Sequence, residues 1–150
     1  MEFDHHNKVI HLCTKGMQKE GEMKPAEAKA FFIKAWQEAA SDIEKFIAAH
    51  YMARHQETIK DKLKWDELAL RIALKIDTEQ MKSFYPSLYL NIGKCHEDLG
   101  NMEQAMACYN TAKSYIPYLP DSGYGEMIKS GIDAGLSRIA SVTQTKSKSS

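Results

Sequence analysis

The chain has 150 residues, 43% hydrophobic and 27% charged, with 20 basic side chains balancing 20 acidic ones. That is the length of one ordinary domain able to bury a core, and the balance argues against a global field that would attract nucleic acid or an anionic membrane. Cys13, Cys95 and Cys108 are odd in number and lack a CxxC spacing, which argues against a disulfide framework or a zinc knuckle.

From the N-terminus, MEFDHHNKVIHLC is polar and has no secretory apolar run. Nowhere does the chain hold the roughly 20 apolar residues that span a bilayer, so a cytoplasmic protein is expected. Strand signals are nearly absent and periods near 3.6 recur throughout. Val9, Leu12, Cys13 and Gly16 share the face of a first helix ending near Glu20. Pro25 suits the first turn of a second helix, which carries Ala28, Phe31, Phe32, Ala35 and Ala39. Ser41 and Glu44 form a capping-box pattern that starts a third helix with Ile43, Phe46 and Ile47. A bend within QETIKDKLK leads to a fourth, whose stripe is Trp65, Leu68, Ala69, Ile72, Ala73 and Ile76. Pro86 opens a fifth helix with Tyr89, Ile92, Gly93, His96 and Leu99. Asn101 and Gln104 suggest a cap before a sixth, which carries Ala105, Tyr109, Ala112 and Ile116. A last helix is expected from about Gly125 to Ala140, and the polar tail 143–150 reads as disordered.

The fifth and sixth helices carry a spacing. Counting Pro86 as position one, Gly93, Ala105, Tyr109, Ala112 and Pro117 fall at positions eight, twenty, twenty-four, twenty-seven and thirty-two. This pattern resembles the tetratricopeptide repeat, a 34-residue helix–turn–helix unit. In such a unit the small residues Gly93 and Ala105 let helices approach closely, Tyr109 fills the gap to the next pair, and Pro117 ends the helix. Gly16, Ala28, Phe32 and Ala35 reproduce the spacing near the N-terminus. A middle unit, with Ala69, Ala73 and Ile76 in its second helix, is stretched by the QETIKDK region. The resemblance implies an all-α superhelix, a right-handed solenoid of about three helical hairpins plus a C-terminal capping helix with Gly131 and Gly135 on its packed side. One domain over 1–142 is expected, with 143–150 as its tail. More narrowly, AWQEAASDIEKFIAAHYMARHQ (35–56), FYPSLYLNIGKCHEDLGN (84–101) and YGEMIKSGI (124–132) resemble a family of small bacterial tetratricopeptide-type proteins. Some members of that family are labelled rRNA adenine methyltransferase. The glycines of DSGYGEM form neither GxGxxG nor GxxxxGK[ST], so no residue pattern here supports that label.

The candidate site begins with a polar pair in line with an apolar stripe. His50 and Arg54 share the helical face of Ile43, Phe46 and Ile47. An unpaired buried charge is expensive. Either Arg54 offers its planar fork to a carboxylate or phosphate beside His50, or Arg54 pairs with an acid on a neighbouring helix while His50 bonds to a carbonyl. His50 and His55 are five apart, 140° around a helix, so they do not make a metal pair; no metal and no cofactor is expected. The resemblance places the concave groove at positions two, five, nine, twelve and thirteen. In the best-registered repeat these are Ser87, Leu90, Lys94, Glu97 and Asp98; in the first they are Ile10, Cys13, Met17, Glu20 and Gly21. That mixture suits an extended peptide or a partner helix, although Lys94, Glu97 and Asp98 also have the spacing of a solvated, internally paired face. The expected function is a noncatalytic scaffold binding a peptide or partner protein, with nucleic acid disfavoured and a homodimer through an exposed apolar end left open. The competing expectation is an enzyme or small-molecule sensor with a pocket around His50, Arg54, His55 and Tyr89.

Overall fold

The computed structural model describes residues 6–148, which hold seven α-helices and no strand. Helix α1 (Lys8–Gly21) opens on Asn7, whose side chain accepts from the N–H groups of Val9 and Ile10. Helix α2 (Pro25–Glu38) has its proline in the first turn, where the missing N–H leaves no bond unmade. Helix α3 (Asp42–Ala53) opens with both halves of the Ser41–Glu44 capping box. The same carboxylate also accepts from Ala40 N–H at 3.0 Å and from Asn7 Nδ2 at 2.7 Å. These bonds, the one from the Ser41 backbone foremost, hold the Glu44 carboxyl down at about 2. One carboxylate thus ties the start of α1 to the start of α3.

Helix α4 (Ile59–Ile76) is capped by Thr58, which accepts from Asp61 N–H. A 3-10 turn at Glu79–Ser83 precedes α5 (Tyr85–Asp98). Helix α6 (Met102–Ser114) follows, then a 3-10 turn at Ile116–Tyr118 that contains Pro117, then α7 (Gly123–Lys148). Two boundary expectations are corrected. Asn101 makes no capping bond; its side chain turns to His96 Nδ1 at 3.4 Å instead. The last helix, expected over 125–140, begins two residues earlier and takes in residues 143–148 of the expected disordered tail; residues 149 and 150 lie outside the described ones. No helix among the described residues is long and apolar enough to cross a membrane.

The helices pair in chain order as hairpins, α1 with α2, α3 with α4 and α5 with α6. The chain divides into two compact units, one through Asp77 and one from Thr78. The first holds α1 to α4 and the second α5 to α7. In each, an aromatic ring fills the place of a missing side chain. A Cβ on Gly16 would collide with the Phe32 ring. A Cβ on Gly93 would lie 2.8 Å from the Tyr109 ring and 3.2 Å from Cys108 Cβ. Ala105 packs with Tyr109 and Ile139, so the close approach at Gly93 is to Tyr109 and Cys108. In the second unit Gly135 of α7 abuts the same ring, its Cβ position 2.6 Å away, and Ala112 joins Ile128 and Ile132 beneath.

The turns inside the two matching hairpins are built alike. Lys24 N–H bonds to Lys19 C=O at 2.9 Å, and Asn101 N–H to His96 C=O at 2.8 Å, each closing a left-handed helix end. The residue that must take positive φ is Gly100 in one (84°) and Met23 in the other (60°). A side chain in that region carries a penalty on the order of 1–2 kcal/mol, and Met23 is 87% exposed, so packing does not offset it.

Three substitutions test this arrangement. Gly135→Ala is expected to lower the unfolding free energy by about 2–3 kcal/mol through overpacking against Tyr109. Gly123→Ala, with nothing within 4 Å, should stay within about 0.5 kcal/mol of the parent in the same denaturant titrations. Met23→Gly should stabilise by about 0.5 kcal/mol, since the relieved strain exceeds the added chain entropy. It should therefore raise the thermal midpoint, where glycine in most exposed positions lowers it.

Candidate functional site

The sequence places its candidates on the first helices of the hairpins, and the two units treat them separately. In the first unit, Glu20 on α1 reaches across to the end of α3. Its Oε1 lies 3.1 Å from Arg54 Nη2 and its Oε2 2.7 Å from His55 Nε2. The guanidinium also lies over the Tyr51 ring at 5.4 Å. Tyr51 in turn stacks on Phe32 at 5.0 Å and donates its hydroxyl to Met17 Sδ at 2.9 Å. Arg54 therefore has the partner acid foreseen as its structural alternative, yet its side chain stays 48% exposed.

His50 does not find the carbonyl expected of it. Its ring meets Tyr51 edge-on at 5.2 Å. Burial pushes its imidazole down to about 4 from 6.5, with Arg54 and Lys62 adding repulsion and Glu20 opposing them. Lys62 is one turn from Asp66 on α4, which is 1% exposed and accepts from Lys62 Nζ at 2.6 Å. The i,i+4 spacing of this pair is visible in the sequence, but the burial of Asp66 is not. Cys13, a groove position of the first repeat, is buried, and desolvation pushes its thiol up to about 12. Beside the Glu20–His55 contact lies an open hollow of about 460 Å³, lined by Glu20, Met23, Pro25 and His55.

In the second unit the expected groove positions largely turn inward. Ser87 is 8% exposed and donates to Phe84 C=O at 3.1 Å. Leu90 packs against both apolar clusters and against Gly131 of α7. Glu97 accepts the Tyr109 hydroxyl at 2.7 Å and a bidentate fork from Arg138 of α7, at 2.7 and 3.0 Å. That fork holds the Glu97 carboxyl below its usual range, and burial together with the Glu97 contact pushes the Tyr109 hydroxyl up. Ser87, Leu90 and Glu97 are thus covered by packing and by α7. Lys94 and Asp98 remain at the surface, paired with each other at 2.6 Å. Tyr89, assigned to the competing pocket, belongs to this unit and stacks on Tyr115 at 6.1 Å, with Tyr85 edge-on to Tyr115 at 5.1 Å.

One signal for this geometry was present in the sequence. Glu20 and Glu97 occupy the same repeat position, 77 residues apart like Gly16 and Gly93. Each takes a cation from the third helix of its unit, Arg54 or Arg138. Arg138 itself has no signal in the sequence, because its acid lies 41 residues away on another helix. Among the described residues no three His, Cys, Asp or Glu side chains converge as a metal site.

The charge state of His50 sets a pH dependence. An imidazole whose folded midpoint lies below its unfolded value favours the neutral form, so the stability it confers is complete above about pH 6.5. It is lost as pH falls through the interval down to about 4, by up to about 3 kcal/mol for such a gap. Urea titrations across this interval should show a declining midpoint, and His50→Gln should flatten the decline.

Comparison with known proteins bears on the second unit. Residues 86–118, from the second residue of α5 through the 3-10 turn after α6, match the family model of the tetratricopeptide repeat. No curated protein and no solved structure matches the chain. The hairpin whose Gly93, Ala105, Tyr109, Ala112 and Pro117 carry the spacing is therefore a tetratricopeptide repeat, within an all-α, tetratricopeptide-like helical-repeat fold.

Proposed function

We propose that the protein is a noncatalytic cytoplasmic scaffold that binds a peptide or partner-protein segment, with His50 and Arg54 in the first unit, and separately Lys94 in the second, as contacts for acidic or carboxylate groups of that segment. The observation that carries this reading is the tetratricopeptide repeat at residues 86–118, a module type that generally mediates protein–protein interaction. The surface chemistry supports it. Arg54 and Lys94 are about half exposed, at 48% and 52%, and each keeps donors beyond the one acid it meets. Near Arg54, Tyr51 and the 40%-exposed Met17 offer an aromatic and a soft apolar contact. Tyr, Met and Arg are residue types that interfaces favour. The Glu20 and Asp98 contacts are partly exposed ion pairs of low individual strength, so a competing carboxylate can displace them at small cost.

Affinity capture from the native cell, with the retained protein identified and then tested in purified form, examines the assignment. Arg54→Ala and Lys94→Ala should each reduce capture about fivefold or more, consistent with losing one charge-assisted bond of about 1 kcal/mol. Both variants retaining the same protein at parental levels would reject the residue assignment.

A further inference from the structure

Helix α4 carries a second apolar row besides the one that packs inward. Its buried residues are Asp66, Ala69 and Ala73, and Trp65 meets Trp36 of α2 edge-on at 5.0 Å. On another side, at about 100° per residue, Ile59, Leu63, Leu70 and Leu74 fall within about 60° of one another. Ile59 and Leu74 stay 38% and 42% exposed, and Leu63 and Leu70 are half-buried. A cation follows each of the four: the chain reads IK, LK, LR and LK at 59–60, 63–64, 70–71 and 74–75. Lys60, Lys64, Arg71 and Lys75 thus form a parallel row about 100° further round, and all four are exposed. Lys75 meets Asp42 at 3.5 Å, with its own side chain 73% exposed. For Lys60, Lys64 and Arg71 no ion pair is found among the described residues. The one acid between the two rows is Glu67.

We infer that this side of α4 is a docking face for a partner helix that carries an apolar row with acidic side chains beside it. The charge is complementary. Four exposed cations and one acid run along about 22 Å of helix, a local field that the balanced chain as a whole does not have. Three of those cations have no internal acid to give up when a carboxylate arrives. The apolar row supplies the rest, since its side chains leave water fully only when another element covers them. Both rows repeat at i, i+4, i+11 and i+15, which keeps them on one side of a straight helix, so the matching shape is a second helix laid along α4. Other anionic surfaces fit less well. An anionic bilayer would have to accept Glu67 at its boundary, where only the two end residues of the apolar row are well exposed. A nucleic acid would use the cations but leave the leucines uncovered, and neither row holds an aromatic ring for a base to stack on. A second copy of α4 would bring one basic row against another. The inference stands on α4 alone and does not depend on the roles given to Arg54 and Lys94.

The probe is a labelled synthetic helical peptide of about 18 residues, with leucines spaced as in α4 and glutamates flanking them on both sides. Its controls are the same peptide with lysine for glutamate and a scrambled version of the acidic one. Titrated with the whole protein, the acidic peptide is expected to bind about tenfold or more tighter than either control. Its affinity should fall about threefold or more between about 50 and about 200 mM sodium chloride. The double variant Lys64→Glu, Arg71→Glu should weaken the acidic peptide about tenfold and strengthen the lysine peptide, an exchange of preference that loss of fold cannot produce. Leu74→Ser, at an exposed position, should weaken the acidic peptide about fivefold with helical circular dichroism unchanged, and Arg54→Ala should leave its affinity as it was. An acidic peptide that binds no tighter than its scrambled form, or equally to the charge-reversed variant, overturns the proposal. Capture by phosphatidylserine vesicles or by an RNA or DNA oligonucleotide, abolished by the same reversal while the peptide is ignored, overturns it too. A dimer in sedimentation that Leu74→Ser disperses would likewise assign the face to a second copy instead.

Discussion

Each unit depends on an aromatic ring pressed into the space of an absent side chain. Phe32 lies against Gly16, and Tyr109 against Gly93 and Gly135, and both rings are fully buried. Interiors pack at crystal-like density, so a ring of that size fixes the separation of the helices around it. The alanines that flank it, Ala28 and Ala35 in one unit and Ala105 and Ala112 in the other, are also fully buried. They are small for the same reason: helices held this close leave room for little more than a methyl group. The aromatic supplies the buried apolar area, and the glycines and alanines let the backbones come near enough to enclose it.

The ring also determines what the neighbouring carboxylate must do. Tyr109 carries a hydroxyl, which Glu97 accepts while Arg138 closes the other side. Phe32 has none, and His55, packed at 5.2 Å from that ring, supplies the N–H that meets Glu20 instead. A carboxylate at the same repeat position is thus satisfied by different chemistry in the two units. The contrast places two histidines near the end of α3 in the first unit, whereas the second relies on groups that stay in one charge state near neutral pH. In the first unit, desolvation, with repulsion from Arg54 and Lys62 added to it, lowers the His50 imidazole.

These internal contacts also shape how the surface can be used. These cations are already engaged: Arg54 holds Glu20, Arg138 holds Glu97 and Lys94 holds Asp98. The bidentate Arg138 fork, on a carboxylate only 12% exposed, is part of the packing of α7. The single contact of Arg54 leaves most of its fork available. Two arginines that perform equivalent roles within their units therefore differ in what they can offer a partner.

By itself the sequence determined the helices, their starts and the repeat. Pro25 and the Ser41–Glu44 box act within a few residues of where they stand, and the spacing of Gly93, Ala105, Tyr109, Ala112 and Pro117 reports contacts inside one hairpin. Only the tertiary structure decided which side chains meet across helices. It turned Ser87, Leu90 and Glu97 inward under neighbouring packing and gave Arg54 to Glu20. It set the His50 ring edge-on against Tyr51, and it carried α7 past Ala140 into the polar tail. Periodicity fixes the face on which a residue lies, but the partner on that face comes from another helix, and its identity depends on distances that no local pattern encodes.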